Sequence, residues 1–259
     1  IHSEGVAFNQ INLEAAGARG IYVCNCAGMN AKAVAEQTLL LMLGVIKNVV
    51  SGDQAVRDGR QMAVKMGYMG AGSCTVGLIG FGAIARAVAD MLQSFGVTVH
   101  YTKRHRLSPE EEARYQVQYL PMDELLKTCD MLSLHVPVTG ETAGMCSREF
   151  FAKCRKGSYF INTSRGELVD DEALREALEN GTIAMAGLDT LDHEPVQKDH
   201  PMLSWPEKTL AKLLFSPHIG GITGSSFHRG YAMIWEDIEK LSRGEKPGHI
   251  VNQKELEQR

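Results

Sequence analysis

The chain has 259 residues, of which 44% are hydrophobic and 22% are charged. This composition is typical of a packed globular protein and argues against a disordered chain. A net charge of −4 disfavours nucleic acid as a partner. The longest apolar run, residues 39–50, is interrupted by Gly44, Lys47 and Asn48. It is too short for a transmembrane helix, so we expect no membrane insertion.

Six cysteines are spread along the chain without a CxxC pair, at positions 24, 26, 74, 129, 146 and 154. A chain of this length does not need disulfide bonds to fold, so we expect reduced thiols and a cytoplasmic protein. Cys24 and Cys26 have the spacing of alternate residues in a strand, which would point to opposite faces. Because zinc ligands must converge, we predict no metal site there.

The first part of the chain is predicted to contain the end of a helix at residues 13–18, a short strand at 21–24 and a long helix. Asn30 can cap this long helix, which is predicted to run to about residue 50. Its apolar residues lie on nearly all sides. It must therefore be covered, either by core burial alone or also by a second domain or subunit. We expect a homodimer.

Strands and helices alternate from residue 75 onward. The predicted strands are residues 75–79, 97–101, 131–135, 159–163, 183–188 and 213–216. The predicted helices are residues 83–95, 122–129, 147–155, 170–180 and 225–243. Alternation of this kind predicts an α/β fold with a parallel, doubly wound sheet.

The first of these strands leads into a glycine-rich turn, Gly80-Phe81-Gly82-Ala83-Ile84-Ala85. The pattern is GxGxxA, in which Gly80 permits the tight turn and Gly82 lets a pyrophosphate approach the backbone. A helix N-terminus would then face the phosphates. The position between a strand and a helix favours dinucleotide binding, with a glycine turn in an unrelated α/β fold as the alternative.

The second strand is followed by basic residues, Thr102-Lys103-Arg104-His105-Arg106. An NAD site usually places Asp or Glu here, where it binds the ribose 2′-hydroxyl. Without that carboxylate, Lys103 and Arg104 can bind a 2′-phosphate. The sequence therefore favours NADP(H), while a solvated basic turn that accepts NAD(H) as well remains open.

Three polar residues lie beyond the ends of later strands: Arg165, Glu194 and His218. Each alone has a structural explanation, as a surface ion pair, a solvated carboxylate or a histidine at a strand end. In an open parallel sheet, however, the carboxyl ends of the strands form the ligand crevice. We therefore expect all three to converge beside the cofactor.

The chemistry of these three side chains is complementary. A guanidinium matches a carboxylate with two hydrogen bonds, so Arg165 can hold a 2-oxo acid. The imidazole of His218 can donate a proton to the carbonyl oxygen as a hydride reaches carbon. A carboxylate at Glu194 would favour the charged imidazole.

Four ordered motifs resemble those of the D-isomer-specific 2-hydroxyacid dehydrogenases. They are the loop His135-Val136-Pro137 with Thr139 and Thr142, the arginine motif at residues 162–170, the glutamate motif at 187–195 and the histidine motif at 216–221. Residues 9–13 and 33–36 also fall where the family has related segments. The resemblance covers essentially the whole chain.

The resemblance implies a Rossmann NAD(P)-binding domain, residues 31–220, inserted in a flavodoxin-like substrate domain. Residues 1–30 and 221–259 would be the remainder of that substrate domain, which is N-terminally incomplete in this chain because the family's carboxylate-binding N-terminal loop has no counterpart. Arg165, Glu194 and His218 would be catalytic. Cofactor contacts are implied at Thr38, Gly80, Gly82, Ala83, Ile84, Thr102, Lys103, Arg104, His135, Val136, Pro137, Thr142, Thr163, Ser164, Arg165, Asp189, His218 and Gly220.

The missing acid after the second strand resembles the NADP-using glyoxylate and hydroxypyruvate reductases. The chain does not resemble the formate branch of the family, because a glutamate stands at position 194. The preferred interpretation is hydride transfer between NAD(P)H and a small 2-oxo acid, giving a D-2-hydroxy acid. Two other classes stay open: a dimeric, non-catalytic NAD(P)H sensor, and a hydrolase on a related cofactor fold. Turnover of free NAD(P)H would separate the dehydrogenase from both.

Overall fold

A computed structural model of the protein describes residues 1–8, 10–60 and 70–258. Asn9, at the start of a segment with family resemblance, lies outside them. The chain divides into two compact units. The smaller unit combines Ile1–Ala33 with Gly221–Arg259, and the larger unit is the continuous segment Val34–Gly220.

The larger unit is built on a parallel sheet of seven strands. In chain order the strands are β1 (Thr75–Ile79), β2 (Thr98–Thr102), β3 (Val117–Tyr119), β4 (Met131–Leu134), β5 (Ser158–Asn162), β6 (Ile183–Leu188) and β7 (Leu213–Phe215). Their spatial order is β3-β2-β1-β4-β5-β6-β7. The chain starts at the centre, winds to one edge through β3 and then returns to build the other half from β4. This confirms the predicted doubly wound α/β fold of the Rossmann type.

Helices connect or precede these strands. Those before and within the larger unit are α2 (Ala31–Ile46), α3 (Val49–Arg57), α4 (Ala83–Gln93), α5 (Pro109–Tyr115), α6 (Met122–Thr128), α7 (Arg148–Lys153), α8 (Asp171–Glu179) and α9 (Glu207–Leu210). Local side chains begin several of them. Asp170 accepts a hydrogen bond from the Ala173 amide at the start of α8, and Ser108 with Glu111 forms a capping box at α5.

Two sequence expectations about the first part of the chain were wrong. The long helix does not reach residue 50: α2 ends at Ile46, and α3 begins at Val49 at an angle of 59° to it. Asn48 between them has a φ of 48°, in the left-handed region, which a continuous helix does not allow. Residues 21–24 form no strand, and only Cys24 makes isolated β-bridges, to His2 and Ile250.

The sheet of the larger unit carries a hydrophobic cluster on each face. Successive residues of β1 point to opposite faces, so Leu78 joins one cluster and Ile79 the other. The cluster that contains Leu78 also includes buried residues of α2, among them Leu41 and Val45. Core packing therefore covers much of this apolar helix, while Leu40 is 56% exposed.

Within the described ranges, no single helix is long and apolar enough to cross a membrane, although α2 and α3 taken together pass that test by length and composition.

The smaller unit contains α1 (Leu13–Ala18), α10 (Gly224–Ser242) and α11 (Gln253–Glu257). The fully buried Asn252 joins its two chain segments, because its side chain accepts from the Val23 amide at 2.9 Å and donates to the Ile21 carbonyl oxygen at 3.0 Å. All six cysteines of the protein are buried, and no disulfide bond links any of them in the described residues.

Candidate active site

The predicted site residues of the larger unit lie at one edge of its sheet. Because all strand pairs are parallel, the segments after β1, β2, β4, β5, β6 and β7 share that edge. Backbone hydrogen bonds join them: the Gly80 amide donates to Thr102 O, and the Asp189 amide to Asn162 O, each at 2.9 Å. Strand order reverses between β1 and β4, which places the ligand crevice of such folds at Gly80.

The glycine turn after β1 is shaped for close approach. Gly80 has a φ of +92°, and a Cβ on it would lie 2.3 Å from the His135 carbonyl oxygen. At Gly82, no described atom lies within 4 Å of the place a Cβ would take. Among the described residues no side chain caps α4, so its first amides, at Ala83 and Ile84, face outward. Open space at an uncapped helix N-terminus fits a pyrophosphate.

The loop after β4 packs against this turn. The ring of His135 contacts Ser133 Oγ through Nε2 at 3.0 Å, and its Nδ1 is a buried atom with no hydrogen-bond partner in the described part of the chain. Burial lowers the pKa of His135 to about 3, so the ring is neutral. Further along, Thr142 Oγ1 donates to the Pro137 carbonyl oxygen at 2.7 Å and closes the loop. Val136 Cγ1 would lie 2.8 Å from a Cβ on Gly80.

The basic turn after β2 lies at the surface. Thr102 is buried, whereas Lys103 is half-buried and Arg104 is exposed. Arg104 pairs with Glu141 at 2.6 Å, and both side chains are more than 70% exposed. Such an exposed pair contributes little to stability, so Arg104 can exchange this partner for another anion.

The segment after β5 is held by a buried asparagine. Asn162 accepts from the Ser164 amide at 2.9 Å and donates to the Arg165 carbonyl oxygen at 2.8 Å. Ser164 Oγ donates to the Leu134 carbonyl oxygen at 2.7 Å, and Thr163 shares a hydrogen bond of 2.9 Å with Thr38. This network fixes the backbone of Arg165, whose guanidinium donates to the Ser164 carbonyl oxygen.

Gly166 brings the arginine segment against the loop that carries Glu194. A Cβ on Gly166 would lie 1.9 Å from the Leu191 carbonyl carbon and 2.0 Å from the Asp192 nitrogen. The two backbones can approach this closely only because residue 166 has no side chain. Glu194 is fixed in turn, since its Oε1 accepts from the Leu191 amide at 2.9 Å.

Glu194 and His218 meet directly. Glu194 Oε2 lies 2.5 Å from His218 Nδ1, and the two side chains are 29% and 43% exposed. A carboxylate can only accept, so Nδ1 of His218 carries the hydrogen. The opposite ring nitrogen, Nε2, is then the atom that can exchange a proton with a bound molecule.

The backbone of the histidine segment is held by Asp189, which is 2% exposed. Its carboxylate accepts from Ser216 Oγ at 2.5 Å, from the Ile219 amide at 3.1 Å and from the Gly220 amide at 2.9 Å. These bonds surround His218, which has a φ of 54°. In this structure Asp189 shapes the loop that carries His218.

Sequence reasoning missed three residues of this arrangement: Asn162, Ser216 and Gln37. Asn162 and Ser216 stand inside the motifs, but their hydrogen-bonding roles were not predicted. Gln37 donates to Ser216 Oγ at 2.8 Å from a helix 179 positions away in sequence. A polar residue at the end of a buried strand is the signal that could have identified Asn162.

The family described as D-isomer specific 2-hydroxyacid dehydrogenase, NAD binding domain, matches residues 39–220. Among curated proteins, the glyoxylate reductase of Korarchaeum cryptofilum is 34% identical over 96% of this chain and 74% of its own length. That of Thermofilum pendens is 35% identical over 100% of this chain and 76% of its own length.

Solved structures agree. The NAD-complexed D-isomer specific 2-hydroxyacid dehydrogenase from Lactobacillus delbrueckii ssp. bulgaricus superposes with a TM-score of 0.85 at 30% identity, over 97% of this chain and 78% of that one. The sheet, the glycine turn and these similarities agree on the cofactor class, a nicotinamide dinucleotide. The chain belongs to the D-isomer specific 2-hydroxyacid dehydrogenase family, as its four motifs predict.

Proposed function

We propose that this chain reduces a small 2-oxo acid to its D-2-hydroxy acid with NAD(P)H, using His218 as general acid, Glu194 as its partner and Arg165 as the anchor for the substrate carboxylate. The contact between His218 Nδ1 and Glu194 Oε2, at the carboxyl edge of a Rossmann sheet, carries this proposal. The similarity to glyoxylate reductases favours glyoxylate or a close 2-oxo acid as substrate. It also favours the enzyme over a non-catalytic sensor.

The glycine turn would hold the cofactor. Gly80, Gly82 and the outward-facing amides at Ala83 and Ile84 would receive the pyrophosphate. Thr102, Lys103 and Arg104 would receive the adenosine ribose, and Thr142 with His135, Val136 and Pro137 would line the adjoining loop. The residues proposed to lie toward the nicotinamide are Thr38, Thr163, Ser164, Asp189 and Gly220. Within the ranges that the structure describes, the buried atoms His135 Nδ1 and Thr190 Oγ1 have no hydrogen-bond partner, which fits a site that is completed by a ligand.

When bound, the reduced nicotinamide supplies a hydride to carbon 2 of the substrate. His218 Nε2 donates a proton to the carbonyl oxygen as that carbon becomes tetrahedral, and the Nδ1–H to Glu194 keeps the ring oriented. The Glu194 carboxylate accepts the Nδ1–H, so Nε2 is the ring nitrogen left to exchange a proton with the substrate. In the reverse direction, neutral His218 accepts the hydroxyl proton.

Arg165 would orient the substrate. Its guanidinium is only partly buried and donates to the neighbouring Ser164 carbonyl oxygen, so it has donors left for a carboxylate. Binding a carboxylate by two parallel hydrogen bonds fixes the plane of the 2-oxo acid. The positive charge of the guanidinium then stabilises the negative charge that develops on the substrate's adjacent carbonyl oxygen.

The cofactor preference is proposed to be NADP(H), since the turn after β2 offers Lys103 and Arg104 and no acid.

We also assign residues 1–30 and 221–259 to the substrate domain of a cytoplasmic homodimer. Leu40 supports the dimer, because it is 56% exposed on a helix whose other apolar residues are buried or half-buried.

The test is oxidation of NADPH and NADH by the full-length protein with glyoxylate, hydroxypyruvate, pyruvate and 2-oxoisocaproate. His218→Gln should lower kcat by about a hundredfold or more while cofactor Kd stays nearly constant. His228→Gln, an exposed histidine on α10, is the matched control and should behave as wild type. Tight NAD(P)H binding without turnover of any substrate would favour the sensor. An equal loss of cofactor binding in His218→Gln would mean that His218 is structural.

A further inference from the structure

A cluster of three ligand-type atoms lies in the smaller unit. His2 Nε2, Asp237 Oδ2 and His249 Nδ1 all lie within 4.8 Å of one another. Asp237 Oδ2 is 3.2 Å from His2 Nε2 and 3.0 Å from His249 Nδ1. Two imidazole nitrogens and one carboxylate oxygen form a donor set suited to divalent transition metals such as zinc. None of these residues has a part in the proposed reaction.

The backbone holds the three donors in place. Residue 2 is bracketed by two hydrogen bonds to the segment at Cys24: the Cys24 amide donates to Ile1 O at 2.9 Å, and the Ser3 amide to Cys24 O at 2.8 Å. On the other side of that segment, the Asn25 amide donates to His249 O at 3.2 Å. Both histidines are therefore fixed against one central strand-like segment, and binding a metal would need little ordering.

Asp237 is fixed as firmly and is available as an anion. It is 2% exposed, and its Oδ1 accepts from the Gly248 amide at 2.6 Å, which leaves Oδ2 directed at the two rings. A buried carboxylate that stays charged requires positive partners.

The hydrogen bond at the other nitrogen of His2 sets its tautomer. Nδ1 lies 2.9 Å from the Ser3 carbonyl oxygen, which can only accept, so Nδ1 carries the hydrogen. In the neutral ring, Nε2 then directs a lone pair at Asp237 Oδ2. Two acceptors 3.2 Å apart need either a proton or a metal ion between them. A histidine that donates one ring N–H to a backbone carbonyl is the usual arrangement of a metal ligand.

Neighbouring groups limit the ligand set to these three. The Cys24 thiol lies beside Asp237, but in the described part of the chain the ligand atoms that lie within 4.8 Å of one another are those of His2, Asp237 and His249. Lys240, one turn along α10, pairs with Glu236 at 2.7 Å. The side chains of His2 and His249 are 15% and 25% exposed, which gives an ion and its waters a route from solvent.

We propose that His2, Asp237 and His249 bind one divalent metal ion of the zinc class, with water completing the coordination. The ion would link the segment before α1, helix α10 and the segment before α11. Binding of the ion would increase the stability of the smaller unit against unfolding.

The experiment uses the full-length protein without a histidine tag, stripped with a chelator and dialysed. Titration with Zn²⁺, followed by calorimetry and by metal analysis after gel filtration, should show one ion per chain and a higher melting temperature. Asp237→Asn should weaken Zn²⁺ binding on the order of a hundredfold, as should His249→Gln. His228→Gln, an exposed histidine of the same helix, should bind as wild type.

A measurement without substitutions covers the case in which a variant misfolds. In the unaltered protein, ring resonances of His2 and His249 should shift on addition of Zn²⁺, while that of His228 stays in place. Co²⁺ should give visible absorption bands from its nitrogen ligands. The proposal is wrong if Zn²⁺ binds with equal affinity to Asp237→Asn and wild type, or if the His2 and His249 resonances respond only to pH. The first result would mean that Zn²⁺ binds elsewhere, and the second that protons alone bridge Asp237 to the two rings.

Discussion

Asp189 holds the backbone of His218: the His218 amide donates to the Asp189 carbonyl oxygen at 2.8 Å. The carboxylate of the same aspartate accepts the amides of the two following residues, Ile219 and Gly220. A buried residue at the end of β6 thereby sets where the imidazole projects. The left-handed conformation of His218 is kept by bonds on both sides of it.

We therefore predict that Asp189→Asn moves His218. Its amide nitrogen would face the N–H of Ile219 or Gly220, and an unmet buried donor costs about 1–3 kcal/mol of unfolding free energy. Displacement of an acid by about 1 Å lowers rate by up to about a hundredfold, so kcat should fall about 10- to 100-fold. Urea unfolding and steady-state kinetics check the two effects. Ser216→Ala, which leaves both amide bonds in place, should cost only about 1 kcal/mol and keep kcat within a few-fold. If both variants have the same kcat, the carboxylate does not position His218.

The two glycines of the turn should have separable roles. Gly80→Ala would force a Cβ to within 2.3 Å of the His135 carbonyl oxygen at a φ of +92°, and strain with overpacking should cost about 3 kcal/mol of stability. Gly82→Ala meets open space, so stability should change by less than about 0.5 kcal/mol. Its methyl group would instead occupy room needed by the pyrophosphate, and NAD(P)H binding should weaken roughly tenfold.

Thermal unfolding and cofactor titration by fluorescence distinguish these effects in the pair Gly80→Ala and Gly82→Ala. Full cofactor affinity in a stable Gly82→Ala would show that the phosphates bind elsewhere. Wild-type stability of Gly80→Ala would contradict the close approach to His135.

Cofactor preference should depend on the turn after β2. Replacing Lys103 and Arg104 together by glutamine should weaken NADPH binding about a hundredfold, because each charge-assisted hydrogen bond contributes about 1.5 kcal/mol, and should change NADH binding little. Glu141→Gln removes the competing partner of Arg104, an exposed pair worth at most about 1 kcal/mol, and should strengthen NADPH binding up to about fivefold. Parallel changes for both nucleotides in either variant would contradict the NADP(H) proposal.

Local patterns were sufficient to predict six of the seven strands of the sheet and the motif positions, because a buried parallel strand is a short apolar run and its loop follows directly. The break at Asn48 and the strand β3 with helix α5 were not predicted. A single residue in the left-handed region ends α2, and three residues of β3 are too few for a periodic pattern. Such features depend on tertiary packing rather than on local propensity.

Long-range polar contacts were beyond sequence reasoning for a different reason. Gln37 and Ser216, or His2 and Asp237, are separated by 179 and 235 positions. Each residue has an ordinary local environment in the sequence. Cys24 and Cys26 are close in sequence and so form a local pattern, whereas His2, Asp237 and His249 come from three distant segments. Chain folding alone brings them together.

Ionisation of Asp171, the first residue of α8, should make the stability of the protein depend on pH. Burial, aided by Asp192 and opposed by His200, raises the pKa of Asp171 from 3.8 to about 6. The folded state thus holds this proton more tightly than the unfolded state between pH 4 and 6, and stability falls as pH rises through that range. Asp171→Asn should therefore be more stable than wild type by about 1–3 kcal/mol at pH 7 and about equal at pH 4. Urea unfolding at pH 4 and pH 7 measures the free energy of unfolding of both proteins. Glu124→Gln, at an exposed position of α6, is the control. Its difference in stability from wild type should be small and the same at both pH values. A constant difference between Asp171→Asn and wild type across that range would mean that the buried carboxyl titrates normally.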